Sequence, residues 1–251
     1  MTDIILSGCS GKMGAAIIAC TASRTDCKIA VGVDIVQPKN TDFAYAKSFA
    51  EIDTPADVII DFSNPVVLDS LLSYAISNKI PCVLCTTGYN EEQKAKINEA
   101  SKTIPVFCSG NMSLGINLII ELAKKAASVF GEDFDIEIVE QHHNQKLDAP
   151  SGTALMIADA VSEVRTDSEY IYDRHAYRKK REKREIGIHS VRGGNIVGEH
   201  EIIFAGTDEV LKISHSARSK TVFAVGAVNA AVFLKGKEPG MYNMSDLLAS
   251  K

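Results

Sequence analysis

The run Asp3-Ile-Ile-Leu-Ser7, followed at once by Gly8-Cys9-Ser10-Gly11-Lys12-Met13-Gly14 and then by Ala15-Ala-Ile-Ile-Ala-Cys-Thr-Ala22, leaves the chain few folds to choose from. Apolar strand, glycine-rich turn and helix in that order begin a βαβ unit, the crossover that parallel strands require. Glycines let the turn's backbone approach a pyrophosphate at the helix start, where unpaired N–H groups favour an anion. The next strand, Lys28 to Asp34, ends in a carboxylate about 20 residues beyond the turn, the place from which an acid accepts the ribose hydroxyls of a dinucleotide. A plain tight turn accounts for the glycines equally well, and the spacing G-x-x-G-x-x-G differs from the commoner G-x-G-x-x-G.

The same plan then repeats. Ala56 to Ser63 is an almost continuously apolar strand, as buried parallel strands are, and Pro65 to Ile76 is its helix. Pro81 to Cys85 is another strand, Glu91 to Lys102 an amphipathic helix, and Ile104 to Cys108 a further strand. The polar turns Cys85-Thr86-Thr87-Gly88 and Ser109-Gly110-Asn111-Met112 stand at strand ends, where such sheets bind ligands. After a helix over Ile116 to Phe130 the pattern changes. Glu185 to Gly194, Gly198 to Ala205 and Glu209 to His215 read as consecutive strands without intervening helices, which makes a second α+β domain with a mixed or antiparallel sheet. Lys220 to Leu234 reads as a helix of small residues.

Chemistry concentrates in Glu140-Gln-His142-His143-Asn-Gln-Lys146-Leu-Asp-Ala-Pro150-Ser151-Gly152-Thr153-Ala154. Phe134 to Glu140 alternates apolar and acidic residues with the period of a half-buried strand, so both histidines leave a strand end. Ser151 or Thr153 is placed to cap the helix that starts near Ala154. Lys146 and that helix start suit an anionic group, and a histidine beside them suits proton donation near neutrality. In a second reading the histidines are a solvated strand end and Lys146 a loop charge. A metal site is not expected, because adjacent histidines in extended chain point to opposite faces and no ligand cluster stands beside them.

Composition bounds the rest. The 251 residues are long enough to bury a core in one or two domains, and a net charge of −5 argues against nucleic acid as the main partner. Six cysteines, all in the first half and irregularly spaced, read as reduced thiols. No basic leader precedes the first strand and no apolar run approaches the ~20 residues of a membrane span, so a cytoplasmic protein without membrane contact is expected. The basic run Arg178-Lys-Lys-Arg-Glu-Lys-Arg184 reads as a solvated loop, one able to steer a dianionic substrate.

The segment from Glu140 to Ala154 resembles the signature of the 4-hydroxy-tetrahydrodipicolinate reductase (dihydrodipicolinate reductase) family. Every fixed position of E-x-H-H-x-x-K-x-D-A-P-S-G-T-A is met. The glycine turn is similar to the family's G-x-x-G-x-M-G, and Cys85-Thr86-Thr87-Gly88 to its G-T-T-G, with Cys85 replacing a glycine; Lys220 stands where members usually carry Arg. The resemblance implies a Rossmann-type doubly wound α/β domain over 1–112, completed by a return over 220–251, and a smaller substrate-binding and tetramerisation domain over 113–219. It implies NADH or NADPH held by Gly8, Cys9, Ser10, Gly11, Lys12, Met13, Asp34, Cys85, Thr86, Thr87, Ser109, Gly110, Asn111 and Met112. The carboxylate at Asp34 repels a 2′-phosphate and Ile35 brings no cation, so NADH should serve, while Lys39 lies close enough to admit NADPH. His142 is implied as the principal proton donor and Lys146 as a second donor or electrostatic stabiliser, with His143, Ser151, Gly152 and Thr153 on a cyclic dicarboxylate. The reaction implied is reduction of 4-hydroxy-tetrahydrodipicolinate with loss of water, in the diaminopimelate route to lysine, by a homotetramer. Two alternatives stand beside it: another two-domain NAD(P)-dependent dehydrogenase of a small carboxylated metabolite, and a dinucleotide-sensing regulator.

Overall fold

Strand β1 (Thr2–Ser7) is apolar on both faces because helices cover both, and Ile4, Ile5 and Leu6 are fully buried. The computed structural model, which describes residues 1–39, 41–176 and 178–250, divides into two units, Met1–Ser113 with Lys220–Lys251 and Leu114–Ser219. In the first unit β1 is followed by α1 (Lys12–Ala22), β2 (Cys27–Val33), β3 (Ala44–Ala46), β4 (Val58–Asp61), α2 (Leu68–Asn78), β5 (Cys82–Leu84), α3 (Glu91–Ala100) and β6 (Pro105–Cys108). Helix α3 starts at a capping box in which Asn90 and Gln93 satisfy each other's backbone N–H groups.

The second unit runs through α4 (Leu114–Phe130), β7 (Asp135–His142), α5 (Gly152–Ser162), β8 (Glu169–Ile171), β9 (Glu185–Arg192), β10 (Gly198–Ala205) and β11 (Val210–Ala217). Among the described residues its five strands lie in the order β11-β10-β7-β9-β8. The sheet is mixed: β7 pairs antiparallel with β10 and parallel with β9. Ile136, Ile138, Ile186, Ile188, Ile202 and Phe204 share one face of it and pack with the apolar sides of α4 and α5. The other face carries the alternate residues, with Glu137, Gln141, His189, Glu199 and Glu201 beside Val139, Val191 and Ile203.

The chain then returns to the first unit with α6 (Thr221–Leu234), β12 (Gly240–Tyr242) and α7 (Met244–Ala249). Among the described residues the seven strands of that unit are all parallel, in the order β12-β6-β5-β4-β1-β2-β3. Sequence order reverses between β1 and β4, so their carboxyl ends open the crevice where doubly wound sheets take ligands. Among the described residues no helix is long and apolar enough to cross a membrane.

The basic run is an exposed loop, as expected: Arg178, Lys179, Lys180, Lys183 and Arg184 are all exposed, and Arg181 is the exception. Arg181, only 16% exposed at its side chain, bridges Asp135 at 2.9 Å and Glu137 at 3.0 Å and donates to the Ile136 carbonyl. Lys179 pairs with Glu182 and Glu185, and Arg184 with Glu169 and Glu182. The carboxylates that pair with Arg181, Lys179 and Arg184 come largely from β7, β8 and β9, which ties the exposed loop to the sheet at those residues.

Candidate active site

In the first unit the predicted residues gather at the carboxyl edge of the parallel sheet. Gly8 leaves β1 at a φ of +79°, and a Cβ there would stand 2.5 Å from the Phe62 carbonyl oxygen. A Cβ on Gly14 would stand 2.4 Å from the Gly8 carbonyl oxygen, so only glycine allows α1 to begin this close to the turn. Gly11 N–H donates to that same oxygen at 3.1 Å, and Gly11, as N-cap, has no side chain to occupy the first N–H groups of α1. The Asp34 carboxylate accepts from Ser10 N–H at 3.0 Å and from Val36 N–H at 3.4 Å, which ties the glycine turn to the end of β2. Ser10 Oγ donates to the Val36 carbonyl. Beside these groups opens a cavity of about 540 Å³, lined by Gly8, Gly11, Asp34, Ile35, Phe62 and Val66 among others. Ile35 is 86% and Val66 82% exposed at its lip.

Two further loops share that edge. Thr86 follows β5 and is held firmly, its Oγ1 donating to Asp61 at 2.6 Å and accepting from Ser63 N–H at 3.0 Å. After β6, Ser109 Oγ donates to the Asn111 carbonyl, and Asn111 Oδ1 accepts from Ser113 N–H at 2.8 Å. Not every predicted side chain faces the cavity. The Cys9 thiol turns into the sheet, where a Cβ on Gly32 would meet it at 2.8 Å, so only the Cys9 backbone borders the turn. Burial pushes the Cys85 thiol well up, with Asp61 and Cys108 adding to the effect, so it stays protonated. Met112 is buried against α6, while Lys12, Thr87 and Gly110 are exposed and Met13 is half-buried.

In the second unit the alternation of β7 decides the geometry. Ile136 and Ile138 face the core, so Glu140 and His142 lie on that same face, and Glu140 is fully buried. His142 Nδ1 stands 2.6 Å from Glu140 Oε2. Arg192, opposite His142 on β9, grips the carboxylate from both nitrogens, at 2.8 Å to Oε2 and 2.7 Å to Oε1. Ser151 N–H completes the set at 3.1 Å from Oε1. Burial pushes the Glu140 carboxyl up, but hydrogen bonds from Arg192, Ser190 and His142 outweigh it and hold the group at about 2.

Ser151 is the N-cap of α5, its Oγ accepting from Ala154 N–H at 3.2 Å; Gly152 and Thr153 form the first turn rather than the cap. Lys146 is bound to Asp148 at 2.8 Å, and its N–H donates to the His143 carbonyl at 3.1 Å. His143 is half-buried. The structure thus gathers His142 and Ser151 on one carboxylate and keeps Lys146 on the loop between them.

Three residues here carried no assigned role: Glu140, Arg192 and His200. Glu140 was legible, since two residues apart on a strand means one face. His200 sits in the buried stripe of β10 with Ile202 and Phe204, directly across from Glu140, and its Nε2 lies 3.2 Å from Ser151 Oγ. Burial first, then the nearby His142, pushes it down to about 4, so it is neutral. Its ring meets that of His142 edge to face, with centroids 5.3 Å apart. Arg192 gave no local signal, because its partner lies across the sheet.

Residues 2–112 match the family described as dihydrodipicolinate reductase, N-terminus, and residues 115–248 match dihydrodipicolinate reductase, C-terminus. The chain belongs to the dihydrodipicolinate reductase family. Relatives of this family similar to it include the 4-hydroxy-tetrahydrodipicolinate reductase of Clostridium novyi (strain NT), 49% identical over 252 residues that cover 100% of both chains. Another is that of Caldanaerobacter subterraneus subsp. tengcongensis, 51% identical over 252 residues, covering 99% of this chain and 98% of the other. A dipicolinate-bound dihydrodipicolinate reductase from Paenisporosarcina sp. TG-14 superposes with a TM-score of 0.80 over 97% of each chain, at 23% identity, and speaks for the shared fold.

Proposed function

We propose that this protein is the NAD(P)H-dependent reductase that converts 4-hydroxy-tetrahydrodipicolinate to tetrahydrodipicolinate in the diaminopimelate route to lysine, in the cytoplasm. One hydride and one proton are added and one water is lost. The observation that carries the reading is membership of the dihydrodipicolinate reductase family along both units, joined to an intact segment from Glu140 to Ala154 organised around His142.

The first unit suits a nicotinamide dinucleotide, which when bound supplies the hydride. A cavity of about 540 Å³ is of the size that cofactor sites occupy. Each Asp34 oxygen accepts one backbone N–H and keeps a lone pair for a ribose hydroxyl. Ile35 and Val66, apolar and exposed, would flank the adenine. The turn from Gly8 to Met13 would hold the pyrophosphate, and Thr86, Thr87 and the Ser109 to Met112 loop the nicotinamide end. NADH is the expected better donor, because Asp34 repels an added phosphate and Ile35 offers it no cation.

In the second unit His142 gives the proton. Lys146, released from Asp148, and the N–H groups of Gly152 and Thr153 at the start of α5 receive a carboxylate, and His143 adds a polar contact. A homotetramer through the open face of the second unit's sheet belongs to the same proposal, with Val191, 44% exposed, among its apolar contacts. Light scattering on the eluting protein should then read four chains; a monomer at micromolar concentration would contradict it.

The test couples the protein to a synthase that generates the unstable substrate from pyruvate and aspartate semialdehyde, and follows oxidation of NADH and of NADPH at 340 nm. Synthase-dependent oxidation is expected, faster with NADH. Folded protein that binds NADH yet oxidises neither cofactor would overturn the reaction and leave a sensing role. His142→Gln should lower kcat by about 100-fold or more, the worth of a placed general acid, with a much smaller change in KM.

A further inference from the structure

We propose that Glu140 is a positioning residue for this reduction: its carboxylate keeps a proton on His142 Nδ1 in both charge states of the ring and so makes Nε2 the nitrogen that exchanges a proton with substrate. The inference rests on the reading of His142 as proton donor. Its basis is the donor count around one buried carboxylate. Oε2 receives Arg192 and faces His142 Nδ1, Oε1 receives Arg192 and Ser151 N–H, and the Ser190 hydroxyl donates to the same carboxylate. The two charge-assisted bonds from Arg192 keep Glu140 ionised, and an ionised carboxylate only accepts. At 2.6 Å His142 Nδ1 must therefore be the donor. The proton that leaves the ring leaves from Nε2.

Two other features agree with Nε2 as the working atom. Gly198 lies beside it: a Cβ at that residue would stand 3.1 Å from Nε2, so glycine keeps the space next to that nitrogen open. The ring facing His142 on the other side is His200, itself buried and neutral, so it sets no second positive charge against a protonated His142. The same carboxylate also receives Ser151 N–H, and Ser151 caps α5. One buried group thus fixes both the donor's orientation and the start of the helix proposed to take the substrate's carboxylate.

The tautomer is read directly by long-range proton–nitrogen correlation spectra of 15N-labelled protein, at a pH where those spectra show the His142 ring neutral, with the His142 signals assigned by their loss in His142→Gln. Wild-type protein is expected to carry its ring proton on Nδ1, with Nε2 bare. In Glu140→Gln the proton should move in part or wholly to Nε2, and kcat should fall about 100-fold with KM changed severalfold at most. A wild-type ring protonated on Nε2 would overturn the proposal even if Glu140→Gln proved unable to fold. So would a folded Glu140→Gln that keeps the wild-type tautomer or the wild-type kcat. Failure of the underlying reading looks different: His142→Gln would then retain kcat, whatever the tautomer.

Discussion

A carboxylate with no exposed surface is costly unless every charge it carries is answered, and Glu140 meets that condition with donors from a strand neighbour, a cross-strand arginine and a helix cap. Acid should expose this dependence. Glu140 lies at about 2 in the folded protein against an ordinary 4.5, so its stabilising contribution is complete above pH 4.5 and is lost as pH falls toward about 2. His200 lies at about 4 against 6.5, so its neutral burial costs nothing extra above pH 6.5 and increasingly disfavours the fold as pH falls toward about 4. Both act in the same direction. Urea midpoints should therefore decline from about pH 6.5 downward, and His200→Gln should flatten the upper part of that decline, between pH 6.5 and about 4. An unchanged slope there would mean that His200 is solvated and charged.

At the scale of elements, the glycine turn and α6 show two uses of missing side chains. In the turn, glycine at residue 8 supplies a backbone shape that other residues adopt only with strain. In α6, Gly226 supplies proximity: a Cβ there would fall 1.6 Å from the Met112 carbonyl oxygen. Gly226→Ala must push apart the helix and the loop that ends in Met112, and should cost about 3 kcal/mol by chemical denaturation, the upper end of ordinary overpacking. Because the Ser109 to Met112 loop moves with it, NADH affinity should weaken in the same variant. A substitution that leaves both unchanged would show that the close approach is not maintained in solution.

For the whole molecule, the chain order and the spatial order differ: the first unit is closed by the last residues. Ala224, Ala227, Val228, Ala230, Ala231 and Leu234 of α6 are fully buried, and Lys235 just beyond them binds the Met1 carbonyl at 2.8 Å and Asp57 at 2.9 Å. Removing residues 220–251 would uncover the sheet face that α6 covers and take away the edge strand β12. Such a truncation should lose NADH binding and most of its cooperative unfolding transition, measured by fluorescence titration and circular dichroism. Retention of tight NADH binding would mean that residues 1–219 suffice without the C-terminal return.

The repeated strand, turn and helix from Asp3 to Cys108 determined a doubly wound parallel sheet from sequence alone, because buried parallel strands are apolar throughout and need helical crossovers. The alternation from Phe134 to Glu140 likewise made β7 and its two-residue pairing of Glu140 with His142 legible. Strands β3, β8 and β12 escaped, since three residues at a sheet edge carry too short a pattern and exist only through the strand they pair with. The ion pairs of Arg181 were not legible either: its partners Glu137 and Asp135 lie on β7, 44 and 46 residues away. Arg192 beneath Glu140, and His200 against Ser151, were decided by tertiary structure alone. Local pattern reports which face a residue takes; which distant charge will meet it there depends on strand order and register, and those are set only when the sheet assembles.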